Sequence, residues 1–192
     1  MITTAGMMDP HDERDGMAFA VARTRDEALL YLELTPCQDC GSNEAPWEHG
    51  LTEVDGELTI SYAAVCPGCG AEREYLFGLP ALETPPGSWP TFGGAEPSEL
   101  LDAGQWLEVA DQAAGNVPAD STEAGRVLAI ARAAVEEVIK FVPAGQDAVP
   151  VDEFWTSAGR KVRDPEPGRF RLDRLLVVRD TYHELSLTTG AK

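Results

Sequence analysis

The chain has 192 residues, 43% of them hydrophobic, and a formal charge of −18. That length and apolar share exclude a disordered polypeptide, and they suit one domain or a small module beside a larger one. The charge repels phosphate backbones and anionic membranes and draws basic proteins, although general solubility explains such a surface too.

The acids are unevenly placed. Residues 1–99 hold 18 Asp and Glu against 4 Arg and Lys, whereas residues 100–192 hold 15 against 11. The opening MITTAGMMDPHDERDG shows no basic or apolar targeting region, and no stretch approaches roughly 18 consecutive apolar residues, so a cytoplasmic protein without membrane association is expected.

In chain order, the first dozen residues look frayed. The segment 15–34 is apolar enough to be ordered. Thr24 and Glu27 have capping-box spacing, which favours a helix ending near Thr35 and Pro36. The alternation of Ala28, Leu30, Leu32 and Leu34 also suits a strand, and the helix is the preferred reading. Glu57–Val65 is β-branched and aromatic and reads as a strand, with a return strand over Glu72–Phe77, so the two make a hairpin turning through CPGCG.

LPALETPPGSWPTFGGAEP, rich in Pro and Gly, marks a boundary in which Trp89 and Phe92 pin the segment onto a neighbouring core. Beyond it the sequence turns helical. Ser98 is placed to cap SELLDAGQWLEVADQAAG, and Ser121 opens STEAGRVLAIARAAVEEVIKFV, which Pro143 stops. VDEFWTSAGRKV predicts a shorter helix, and after DPEPG a final one runs over RFRLDRLLVVRDTYHEL.

All four cysteines fall in two pairs, Cys37-x-x-Cys40 and Cys66-x-x-Cys69. In a reducing compartment such pairs read as metal ligands rather than disulfides. Four thiolates in two turns suit a closed tetrahedral Zn2+ site, and Gly41 and Gly70 suit the positive backbone angle that ends each turn. The knuckles CQDCG and CPGCG resemble those of a zinc ribbon over about residues 35–77. That resemblance implies that Cys37, Cys40, Cys66 and Cys69 are ligands of a structural zinc ion. Iron is the chemical rival, because spacing alone does not separate the two metals. His49, with four thiolates at hand, reads as a surface loop residue. TFGGAEPSELLDAGQWLEVAD and PEPGRFRLDRLLVV are similar to stretches of uncharacterised bacterial proteins that also begin with a cysteine knuckle, and no functional residue follows from that similarity.

Ribbons that grip nucleic acid do so with Lys and Arg on their hairpins. Between Pro36 and Leu76 this chain has one base, Arg73, against eight acids. Nucleic acid is therefore not expected at the ribbon. The run Arg160, Lys161, Arg163, Arg169, Arg171 and Arg174 could meet phosphate, but internal neutralisation of the acidic half is preferred. Motifs for nucleotide binding, metallopeptidase or serine-hydrolase chemistry are absent from the sequence. Asp180, Tyr182 and His183 read as the polar rim of an amphipathic helix.

The expectation is an α+β fold, with a zinc ribbon-like β-hairpin module packed on a mainly α-helical domain. Residues 1–34 form an N-terminal segment, 35–79 the ribbon, 80–97 a linker and 98–187 the helical domain. The expected function is non-enzymatic docking of a basic protein, of immunity, inhibitor or adaptor type. Glu44, Glu48, Glu53, Asp55 and Glu57 would steer the partner and Trp47 would anchor it. The alternative is a nucleic-acid- or transcription-associated zinc ribbon that uses the C-terminal Arg cluster.

Overall fold

The structure, a computed structural model of the chain, describes residues 19–81 and 89–190. The expected fraying of the first dozen residues and the middle of the 80–97 linker lie outside the described residues. The fold is α+β, with a three-stranded antiparallel sheet and five α-helices among the described residues.

Helix α1 spans Arg25–Leu34, so the helical reading of this segment holds over the strand. Thr24 caps it, its hydroxyl accepting from the Glu27 N–H at 3.1 Å. The Glu27 carboxylate does not close a capping box on Thr24. It reaches one residue further back and accepts from the Arg23 N–H at 2.8 Å. The strands follow as β1 (Glu48–Val54), β2 (Glu57–Val65) and β3 (Glu72–Gly78), in the spatial order β1-β2-β3.

The β2–β3 hairpin turns through the second cysteine pair, as the sequence implies. β1 was not expected, and it answers to the Asp55-Gly56 turn. Both residues have positive φ, 53° and 88°, and Val54 pairs with Glu57 across a two-residue loop. Asp-Gly is the pair that such a turn demands, because a positive φ at both central positions matches the right-handed twist of the strands. His49 therefore lies in a strand rather than a loop, its ring stacked on Tyr62 at 5.6 Å.

Helix α2 covers Ala103–Gly115 and begins later than Ser98. Asp102 and Gln105 form a reciprocal capping box, which outcompetes a lone serine. Ser98 instead accepts from the N–H groups of Leu100 and Leu101, and donates to Glu27 at 2.6 Å. Helix α3, Ser121–Lys140, starts from Asp120 as its cap and packs Leu128, Ala131, Val135 and Val138 inward.

The expected helix over VDEFWTSAGRKV is broken in two: a 3-10 turn at Val151–Glu153, then α4 at Ser157–Arg163. The break arises because Thr156, the cap of α4, is held by the Asp102 carboxylate at 2.8 Å through its N–H and 2.7 Å through its hydroxyl. One buried carboxylate thus serves the N-termini of two helices. They cross closely enough that a Cβ on Gly104 would lie 2.3 Å from the Gly159 carbonyl oxygen. Pro167–Phe170 forms a second 3-10 turn before α5, Leu172–Gly190.

The buried side chains make one continuous cluster. It runs from Ala22, Ala28 and Leu32 through Tyr62 and Phe77 of the sheet to Trp106, Val135, Phe154, Phe170 and Leu175 of the helices. Phe92 joins it against Trp106 at 5.0 Å, while Trp89 stays exposed, so only Phe92 does the pinning expected of both. A charged network ties the α1 end to α3. Arg23 pairs with Glu27 at 2.6 Å and Glu137 at 2.9 Å, and Glu137 pairs with Lys140 at 2.6 Å. Arg23, Glu27 and Glu137 are all buried, and Arg23 also donates to the Glu96 carbonyl.

Candidate metal centre

Two tight turns build the site, and they repeat one another. In the first, the Cys37 N–H donates to the Ser42 carbonyl and the Gly41 N–H to the Cys37 carbonyl, both at 2.8 Å. In the second, Cys66 and Gly70 make the equivalent bonds to Ala71 and Cys66, again at 2.8 Å. The closing glycines share a left-handed backbone, φ 75° at Gly41 and 76° at Gly70, where a Cβ would be strained. The first turn follows α1 directly and the second joins β2 to β3. The end of a helix and the end of a hairpin therefore bring the four sulfurs together.

The Sγ atoms of Cys37, Cys40, Cys66 and Cys69 all lie within 4.8 Å of one another. The shortest approaches run between the turns, 3.7 Å for Cys37 to Cys69 and 3.5 Å for Cys40 to Cys66. These are far longer than a disulfide bond. They match a tetrahedron of sulfurs about one ion, for which a metal–sulfur bond of about 2.3 Å gives an edge of about 3.8 Å. The four-cysteine cluster is thus sized for a metal ion held by thiolates, with no ligand position left over.

Without an ion the four groups compete for protons. The Cys66 thiol is pulled down to about 6, because the N–H groups of Gly68 and Cys69 donate to its sulfur. Cys69 is pushed up to about 12. The Ala71 N–H opposes that rise, but Cys40, burial and the other two thiols outweigh it. Cys40 is raised as well: the Ser42 N–H opposes the rise, but Cys66, desolvation and Cys37 together outweigh it. The negative charge thus gathers on Cys66.

Arg73, the single base between Pro36 and Leu76, does not reach the surface. It is 8% exposed, its guanidinium 4.7 Å from the Trp47 ring and 5.8 Å from that of Tyr75. It donates to the Thr35 carbonyl at 2.5 Å, two residues before Cys37. Tyr75, two positions on, was the one local hint that this arginine is internal; the contact with Trp47 comes from 26 residues earlier in the chain. Trp47 is accordingly half-buried and packs edge-on against Tyr75 at 5.6 Å. It lines a shallow cleft of about 630 Å³ with Leu29, Glu33, Glu44 and Pro67.

The five acids singled out from the sequence all lie at the surface. Glu44 sits in the loop after the first turn, and Glu48, Glu53, Asp55 and Glu57 sit along the β1–β2 hairpin. The C-terminal bases are largely taken up locally. Arg163 pairs with Asp164, Arg169 with Asp111, Arg171 with Asp147 and Asp173, and Arg174 with Glu166. Arg160 donates to the carbonyls of Phe154 and Trp155. On α5, Asp180 pairs with Arg179, while Tyr182 packs on the core and His183 is exposed.

No family model, curated protein or solved structure matches the chain. Its functional reading therefore rests on its own residues. Among the described residues, no helix is long and apolar enough to cross a membrane.

Proposed function

We propose that this chain is a non-enzymatic protein-docking module, in which a zinc-stapled ribbon presents an acidic hairpin to a basic protein. The observation that carries the reading is the one-sided charge of the ribbon surface. Glu44, Glu48, Glu53, Asp55 and Glu57 are exposed, while the one base of the segment is buried against Trp47. A surface of one sign on a rigid support accelerates encounter with an oppositely charged partner and rejects like-charged ones. Zinc is the preferred ion, because a closed set of four thiolates suits a redox-inert structural metal. Inhibition of a basic enzyme, as an immunity protein does, or adaptor binding to a larger assembly both fit this chemistry.

The same charge argues against phosphate contact at the ribbon, and the carboxylates paired with Arg163, Arg169, Arg171 and Arg174 compete with it at the C-terminal segment. The test is affinity capture from native extract with and without nuclease, comparing the parent with a variant carrying E44Q, E48Q, E53Q, D55N and E57Q together. A basic protein retained by the parent after nuclease, released by moderate salt and lost from the variant, is the expected result. Equal retention by the variant, or partners lost on nuclease treatment, would refute the reading.

A further inference from the structure

We propose that the outer edge of β1 is a strand-addition site, at which an extended basic segment of the partner joins the sheet as a fourth strand beside Glu48–Val54. This rests on the acidic-docking reading above and specifies its geometry. β1 is a terminal strand in the order β1-β2-β3. The opposite terminal strand, β3, is partly covered at its end, where Ala22 donates to the Gly78 carbonyl and Gly78 to that of Ala20. Nothing among the described residues covers β1 in that way.

The backbone of β1 shows which groups are available. Val54 and Glu57 flank the two-residue turn, so they form a hydrogen-bonded pair, and such pairs alternate along the ladder. Thr52, Gly50 and Glu48 therefore turn their N–H and C=O groups towards β2. In agreement, the Thr52 and Gly50 carbonyls also accept from the hydroxyls of Thr59 and Ser61. The N–H and C=O groups of His49, Leu51 and Glu53 face outward.

Sheet proteins ordinarily blunt such an edge with proline, lysine, a bulge or a covering segment. Among the described residues β1 has no proline, bulge or cover, its register with β2 being unbroken over seven pairs, and its edge charges are Glu48 and Glu53, which repel an acidic strand but admit a basic one. Its two faces define the incoming strand. Leu51 and Leu58 share one face and are 66% and 54% exposed, with Glu53 beside them near the turn. Glu48 and Glu57 lie on the other face. A strand that alternates apolar and basic side chains matches both. A second copy of β1 would set like carboxylates against each other, and residues 1–18 carry four carboxylates and one arginine, so neither is the complement.

The probe is a fluorescent heptapeptide alternating lysine and valine, added to the full chain loaded with metal. Two analogues keep its charge but are methylated on the backbone nitrogens of either the lysines or the valines. One analogue is expected to bind at least about tenfold more weakly than the other, since only one set of N–H groups faces β1. The amides of His49, Leu51 and Glu53 are expected to gain exchange protection on binding. If both analogues bind like the parent peptide and those amides stay unprotected, strand addition is overturned while acidic docking stands. If a glutamate–valine peptide binds as tightly as the lysine one, or no peptide binds up to millimolar concentration at physiological salt, the proposal falls along with the charge-based reading.

Discussion

Glu27 is fully buried and accepts from the Arg23 side chain at 2.6 Å, the Arg23 backbone N–H at 2.8 Å and the Ser98 hydroxyl at 2.6 Å. Changing Glu27→Ala strips those donors of their acceptor, while Glu137 still faces the buried Arg23 at 2.9 Å. Removing one member of a buried ion pair costs about 3–5 kcal/mol. With a urea dependence of roughly 2–3 kcal/mol per molar for a chain of this size, the unfolding midpoint should fall by about 1–2.5 M. The melting temperature should fall by roughly 6–20 °C. The paired variant Arg23→Met with Glu27→Leu should recover most of this loss, because Glu137 keeps Lys140 at 2.6 Å and the arginine charge is gone from the interior. Chemical denaturation followed by circular dichroism measures all three proteins. A Glu27→Ala loss below about 1 kcal/mol would show that the network does not hold α1 to α3.

Chelating the metal should remove on the order of 10 kcal/mol from the ribbon, collapsing exchange protection across β1–β3 while α2, α3 and α5 keep their helical signal. Unchanged strand protection would mean that the ion is not structural, and a coloured rather than colourless protein would mean iron. Zinc uptake near pH 7 should release at least the protons of Cys40 and Cys69, both of which are raised, while Cys66, at about 6, is already largely ionised. Affinity should therefore climb as pH rises and fall away below about 6 as Cys66 takes up its proton. Calorimetric titration in two buffers of different ionisation enthalpy counts the protons, and release of fewer than two refutes this charge distribution. Changing Gly159→Ala would place a Cβ 1.9 Å from Asp102 Oδ1, so a loss of about 3 kcal/mol in denaturation is expected. A neutral effect would rule out the close crossing of α2 and α4.

The cysteine pairs were legible because metal geometry constrains both spacing and the glycine that follows. The long helix α3 was legible because its apolar residues recur at helical spacing over five turns. β1 went unread although Asp55-Gly56 announced a tight hairpin, since EHGLTEV carries too few apolar residues to look like a strand on its own. The start of α2 was misplaced because Ser98 and Asp102 are both competent caps. Ser98 does accept from the N–H groups of Leu100 and Leu101, but the reciprocal box of Asp102 and Gln105, with Asp102 also bound by Thr156 from 54 residues away, starts the helix only at Ala103. The internal positions of Arg23, Glu27, Arg73 and Glu137 were invisible for a related reason. Arg23 and Glu27 pair locally, as do Glu137 and Lys140, but what brings them inside is the meeting of Arg23 with Glu137, 114 residues on, and of Arg73 with Trp47, which no local pattern encodes.

The β1–β2 hairpin lies wholly inside the stretch between the two cysteine turns. An ion that ties Cys40 to Cys66 closes the chain on either side of it, and the cost of such closure grows only slowly with length, by about 0.6 kcal/mol per doubling. The hairpin can therefore lengthen, shorten or change its charges while the four ligands and their hydrogen bonds stay as they are. Metal anchor and acidic hairpin are separable in this fold, so the charges of residues 48–57 can be rewritten while Cys37, Cys40, Cys66 and Cys69 stay as they are.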